Sequence, residues 1–273
     1  PRSRRRSLRL PISILLPMKK NRLLPALTLA ALTALCALTS SHAAAPAGFK
    51  EIFDGKSLAG WDGNKDVWSV RDGALTGVTT AEKGIKANTF LVYTGAQPAN
   101  FELRLSFRLT AQNPDNRANS GVQYRSKLID PATFVVGGYQ ADIDSPFKYT
   151  GMLYEEKGRG ILMVAGEKIR IGETSMVPDT KKKDGKKKQT AVEKLPGATP
   201  TAAIAAAYKL GEWNELVITA NGNQLRHTVN GVVTADVTET DASIAKSGVI
   251  ALQLHVGPPM TIQFKNAYLK TLP

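Results

Sequence analysis

The 273-residue sequence holds a single cysteine, Cys36, and 7% aromatic residues. Cys36 falls inside an N-terminal apolar stretch, so the rest of the chain has no thiol. Disulfide frameworks, thiol catalysis and cysteine-ligated metals are therefore excluded for it together. Three motifs are also missing: Gly-x-Ser-x-Gly, His-Glu-x-x-His and Gly-x-x-x-x-Gly-Lys-Ser/Thr. Their absence disfavours serine hydrolases, zincins and P-loop enzymes. Outside the N-terminal region no apolar run reaches the 18 residues of a membrane span.

The formal charge of +13 is unevenly spread. Eight of the Lys/Arg residues lie in residues 1–43, which contain no Asp or Glu, and 28 cations then face 23 acids in the remainder. Six of those cations form one run, Lys181–Lys183 and Lys186–Lys188. A nearly neutral remainder does not mark a nucleic-acid binder. From Met18 the sequence has the order of a secretory signal. Lys19, Lys20 and Arg22 precede the apolar Leu23–Leu38, and Ser41-His42-Ala43 offers a cleavage site after Ala43. Residues 1–43 are thus expected to be an upstream leader plus signal peptide. Residues 44–273 are expected to form one exported domain, periplasmic or extracellular.

From Phe49 onward the pattern is that of strands. Phe101–Leu109 alternates strictly, with Glu102, Arg104, Ser106 and Arg108 opposite the apolar set. Further runs are expected at 67–70, 74–78, 90–93, 121–125, 139–144, 215–220, 224–229, 232–237, 249–254 and 260–269. Asn221-Gly222 and Asn230-Gly231 mark hairpin turns. Only Thr201–Tyr208 looks helical. A dozen short strands without intervening helices predict an all-β, two-sheet antiparallel sandwich. The segment at about 175–200, rich in lysine and threonine, is expected to be a mobile surface insertion. A basic contact for anionic glycans or the cell surface is its functional alternative.

Several strands carry unusual polar residues on one face. Gln123 and Arg125 alternate with Val122 and Tyr124. Gln140, Asp142 and Asp144 alternate with Tyr139, Ala141 and Ile143. Gln253 and His255 alternate with Leu252 and Leu254. Amide and carboxylate groups of this kind hold paired sugar hydroxyls, and Tyr139, Tyr154 or Trp61 could stack on a pyranose. His255, at a strand end before Gly257-Pro258-Pro259, is suited to proton transfer near neutral pH. His227 reads as a hydrogen-bonded strand residue. Asp142, Asp144 and Glu155 together could hold a divalent cation. No other cofactor is indicated.

Phe53-Asp54-Gly55-Lys56-Ser57-Leu58-Ala59-Gly60-Trp61 resembles the opening motif of the 3-keto-disaccharide hydrolase domain family. Matching segments follow in order: Trp68–Gly73, Phe101-Glu102-Leu103, Asn119-Ser120-Gly121 leading to Arg125, and Gly138–Ile143. After them come Leu153-Tyr154-Glu155, Gly158-Arg159-Gly160, Gly211–Asn214, Leu252–His255 and Phe264-Lys265-Asn266. The resemblance spans 49–272. It implies a concanavalin A-like jelly roll and an oligosaccharide or glycoside partner, with cleavage of 3-keto-glycosides in some members. A 3-ketone acidifies the C2 hydrogen, so a base can form an enolate that expels the C1 substituent, after which water adds. The roles this implies are His255 or Asp142 as base and acid, with Arg125 and Arg117 as oxyanion partners. Glu102, Asn119, Gln123, Gln140, Tyr154, Glu155, Arg159 and Gln253 would bind substrate. A divalent cation at Asp142 or Glu155 could replace an arginine. The same face could instead serve a non-catalytic, lectin-like module, or the lysine-rich segment could serve an envelope interaction protein.

Overall fold

The computed structural model describes residues 45–179 and 185–273. The signal expected over 1–43, Cys36 and the lysines at 181–183 lie outside the described residues. The strands in chain order are β1 (Lys50–Glu51), β2 (Trp61–Asp62), β3 (Trp68–Arg71), β4 (Ala74–Thr79), β5 (Thr89–Tyr93) and β6 (Phe101–Ala111). They continue with β7 (Ala118–Asp130), β8 (Val135–Ser145), β9 (Leu153–Glu156), β10 (Gly160–Met163), β11 (Lys168–Pro178) and β12 (Lys186–Lys194). After helix α1 (Thr201–Ala207) come β13 (Asn214–Asn221), β14 (Gln224–Val229), β15 (Val232–Glu239), β16 (Val249–Leu254) and β17 (Met260–Thr271).

These strands build the expected two-sheet jelly-roll sandwich. One sheet runs β12-β11-β15-β14-β13-β6-β17-β4-β3, with β1 also paired to β17, and the other runs β10-β9-β8-β7-β16-β5-β2. Pairing is antiparallel except between β11 and β15. The apolar half of each alternating strand fills the space between the sheets. Phe101, Leu103, Leu105, Phe107 and Leu109 of β6 meet Val122, Tyr124, Tyr139, Ala141, Leu252 and Leu254 of the other sheet in one core. Asn230 and Gly231 both take positive φ, 48° and 80°, as the two-residue β14–β15 hairpin requires. Among the described residues no helix is long and apolar enough to cross a membrane.

The described parts of the 175–200 segment depart from expectation. β11 and β12 pair from Ile169↔Lys194 to Pro178↔Lys186 and extend the edge of the larger sheet. Ile169 and Ile171 are fully buried and fix β11 against β15. From that anchor the backbone ladder carries the hairpin outward with little apolar burial of its own, which a reading by composition does not register. Lysines on β12 suit an outermost strand, where charge discourages pairing with other chains.

A polar clamp crosses the core near one end. Arg159, in the β9–β10 turn, pairs with Glu155 and places Nη2 2.7 Å from Glu239 Oε2 of β15. The Tyr139 hydroxyl donates to the same Glu239 oxygen at 2.6 Å. Tyr139 stacks on Tyr124, whose hydroxyl meets His227 Nε2 at 2.8 Å. His227 is wholly buried, and burial lowers its pKa to about 4, so it is a neutral core residue. Replacing Arg159 with Met strands two carboxylates out of water. We expect a loss of about 3 kcal/mol or more, seen as a Tm roughly 6–12 °C lower in a thermal melt. Arg170→Met removes an exposed pair with Glu193 and should cost under about 1 kcal/mol.

Candidate functional site

On the face of the smaller sheet turned away from the inter-sheet core, side chains from β7, β8, β9 and β16 meet in a polar row. Strand alternation selects them. Gln123 lies opposite Gln140, Gly121 opposite Asp142, and Gln140 opposite Tyr154. The row is closely bonded. Gln123 Nε2 donates to Gln140 Oε1 at 2.9 Å, and Gln140 Nε2 donates to Asp142 Oδ1 at 3.0 Å and to Gln253 Oε1 at 3.4 Å. Asn119 Nδ2 donates to both Asp142 oxygens, at 3.2 and 3.3 Å. Gln253 Nε2 reaches Glu156 Oε2 at 3.5 Å. Gly121 makes the arrangement possible. A Cβ there would sit 2.5 Å from Gln140 Cδ, so any larger residue displaces the amide that bonds Asp142.

The row floors a cavity of about 260 Å³, lined by Asn88, Asn119, Gln140, Asp142, Tyr149, Met152, Tyr154, Glu156, Ile161, Gln253 and His255. Its electrostatics are set by burial. Asp142 is 3% exposed. Desolvation, helped by nearby Asp144, outweighs the amide donors and raises its pKa to about 8, so the carboxyl holds its proton at pH 7. Burial also raises the Glu156 carboxyl and the half-buried Tyr154 phenol. For His255 the effect is opposite, because desolvation lowers the pKa of a cationic acid. Its Nδ1 faces the Val256 carbonyl, which can only accept, so Nδ1 carries the proton and Nε2 keeps its lone pair. Asn88 braces this corner, with Oδ1 accepting from Val256 N at 2.9 Å. The cavity thus joins a protonated carboxyl, a neutral imidazole and a set of amides.

Of the residues singled out in the sequence, Asp142, His255, Asn119, Gln140, Tyr154 and Gln253 line this cavity. Gln123 is fully buried behind it and acts on Gln140. Arg117 lies outside it, on the rim of the adjoining cavity. Six positions are corrected. Arg125 has a φ of +46° at a bulge between Tyr124 and Lys127, which breaks alternation. Its guanidinium turns to the carbonyls of Ala99 and Gly222, each at 2.8 Å, and ties loops together. Glu102 sits on the outer face of the larger sheet beside Arg104, 2.6 Å away. Glu155 and Arg159 belong to the buried clamp. Tyr139 and Trp61, named as stacking residues, are 2% and 6% exposed within the core.

The cation site anticipated at Asp142, Asp144 and Glu155 does not assemble. Asp142 faces the cavity, Glu155 points to the clamp, and Asp144 is occupied by the N–H groups of residues 148–150 and the Thr150 hydroxyl. Among the described residues no three His, Asp or Glu side chains converge as metal ligands. Glu156, Asn88 and Tyr149 were not anticipated. Reading β9 as a strand would have found Glu156, since it shares Tyr154's face while Glu155 does not. Asn88 precedes a strand with no motif around it.

A candidate glycosyl hydrolase from Parabacteroides distasonis superposes with a TM-score of 0.51 at 18% identity, covering 83% of this chain and 94% of that one. A carbohydrate-binding module from Bacillus subtilis gives a TM-score of 0.46 at 14% identity, covering 78% and 96%. At 18% identity the first likeness speaks for fold alone, and the second carries no argument. No curated protein matches the chain. The family model of the 3-keto-alpha-glucoside-1,2-lyase-like domain matches residues 48–270. The chain therefore belongs to the 3-keto-α-glucoside-1,2-lyase-like domain family, and its function is carbohydrate-related.

Proposed function

We propose that the protein cleaves 3-keto-glycosides by removing the C2 proton, eliminating the C1 substituent and hydrating the product. The observation that carries this reading is one cavity shared by Asp142, which holds its proton at neutral pH, and His255, which does not. Gln140, Gln253 and Glu156 offer hydrogen-bonding groups for the ring hydroxyls, with Tyr154 as a wall. His255 Nε2 takes the C2 hydrogen, and the C–H electron pair forms a C2=C3 enolate. The Tyr154 hydroxyl, which burial keeps protonated, donates to the enolate oxygen. When the ketone re-forms, the pair moves into a C1=C2 bond and the C1–O bond breaks. Asp142 gives its proton to the departing oxygen. Water then adds across C1=C2, which makes the net reaction a hydrolysis. A pair of carboxylates at glycosidase spacing is not needed. We further propose that this occurs outside the cytoplasm, on the strength of the Met18–Ala43 pattern.

The direct test supplies a 3-keto-glucoside and its unoxidised parent, with product followed by chromatography. Only the keto substrate should disappear. If neither is consumed while both bind, the protein is a carbohydrate-binding module. Variants separate the roles. In D2O, Asp142→Asn should still exchange the C2 hydrogen for deuterium while cleavage falls by about 10²–10⁴-fold. His255→Ala should lose exchange and cleavage together. Full cleavage by Asp142→Asn would remove the aspartate from the mechanism.

The pH profile is a second test. His255 must be neutral, so kcat/KM should fall below a pKa lower than 6.5, the ordinary histidine value. Asp142 must be protonated, so kcat/KM should fall again above about 8. A profile that keeps rising through pH 9 would contradict the assignment of Asp142 as the acid.

A further inference from the structure

Beside the cavity that holds Asp142 lies a second one of about 670 Å³, and both are lined by Asn119, Tyr149 and His255. The partition between them is thus made of residues next to the reacting groups. Asn119, which donates to both Asp142 oxygens, faces the two sides. An oxygen that took its proton from Asp142 would have the larger space on the far side of Asn119. That space has more than twice the volume of the first, so it accommodates a group bigger than the reacting ring.

The charge on its walls is specific. Asp115, Arg117, Asp144 and Lys148 all line it. Asp144 is buried and turned into its own loop, where its carboxylate accepts from the N–H groups of Lys148, Tyr149 and Thr150 and from the Thr150 hydroxyl. The four charges balance, but the exposed ones are two cations, Arg117 and Lys148, and one carboxylate, Asp115, with Asp144 buried behind them. Arg117 is held by its backbone. Asn113 accepts from its N–H at 3.0 Å and donates to its carbonyl at 2.7 Å, which leaves the exposed guanidinium to the cavity. Lys148 Nζ lies 4.7 Å from the centre of the Tyr149 ring, and this contact steers the ammonium toward the shared wall. An ammonium held over a ring of the wall can bind the anionic substituent of a second sugar that enters this space.

We propose that this second cavity is the leaving-group subsite and that Arg117 and Lys148 select an aglycone bearing a carboxylate, as a uronic acid does. The assignment of a leaving group to this side rests on the function proposed above; the preference for a carboxylate is a separate claim and is tested separately. Phenyl and 4-carboxyphenyl glucosides, unoxidised, are titrated calorimetrically against the whole protein at low salt. The 3-keto forms of both are then assayed for KM and kcat. The carboxylated ligand should bind about fivefold more tightly, and its lower KM should come without a matching change in kcat. The ratio should shrink toward one in 0.5 M salt, because the cations are exposed. It should also shrink in the Arg117→Ala/Lys148→Ala double variant. Equal binding of the two glucosides, or a preference that survives in the double variant, overturns the proposal. If the preference holds and neither keto-glycoside is cleaved, the subsite stands as a binding site and the catalytic reading fails.

Discussion

A carboxyl group that leaves water for a site furnished with amides keeps its proton far into the neutral range. That constraint on Asp142 decides what the cavity can do. Two amide nitrogens hold the group in place, and neither supplies the full charge that would keep it ionised. The same burial acts in the opposite sense on His255 and leaves an uncharged imidazole. An acid and a base therefore coexist at one pH without neutralising each other. The arrangement has a consequence for stability. Because the folded pKa of Asp142 is raised to about 8 from 3.8, its contribution to stability is fully present below 3.8, declines as pH rises and is gone above about 8.

The sandwich supplies what this requires. Period-two alternation sends Tyr124, Tyr139, Ile143 and Leu254 into the core, and the same alternation sends Gln123, Gln140, Asp142 and Gln253 to the opposite face. The missing Cβ at Gly121 lets Gln140 lie across β7. The clamp of Arg159, Glu155 and Glu239 ties the β9–β10 turn to the larger sheet, and so holds β9, which carries Tyr154 and Glu156 into the cavity. Stability and site are coupled through this one short strand.

Most of the fold was legible because it rests on local signals: alternation in Phe101–Leu109, Asn-Gly turns, and the absence of amphipathic helices. The amide row was legible for the same reason. Three features were not. A bulge at Arg125 inverts one residue's direction, and nothing in the run Gln123-Tyr124-Arg125 announces it. In Tyr154-Glu155-Glu156 the two acids differ by one position and hence by one face, so the choice between them depends on knowing where β9 lies. Strands β11 and β12 are ordered by backbone pairing started at Ile169 and Ile171, whereas composition speaks only to side-chain burial. In each case the deciding information is non-local.

The proposed chemistry requires Asp142 to be a carboxylic acid at neutral pH. Carbon-13 NMR of protein labelled at aspartate Cγ, with the Asp142→Asn variant to identify the resonance, measures this directly. One aspartate resonance should titrate near pH 8 and be absent from the variant. If the Asp142 signal titrates near 4, as an ordinary carboxylate does, the group is charged at neutral pH and cannot serve as the proton donor.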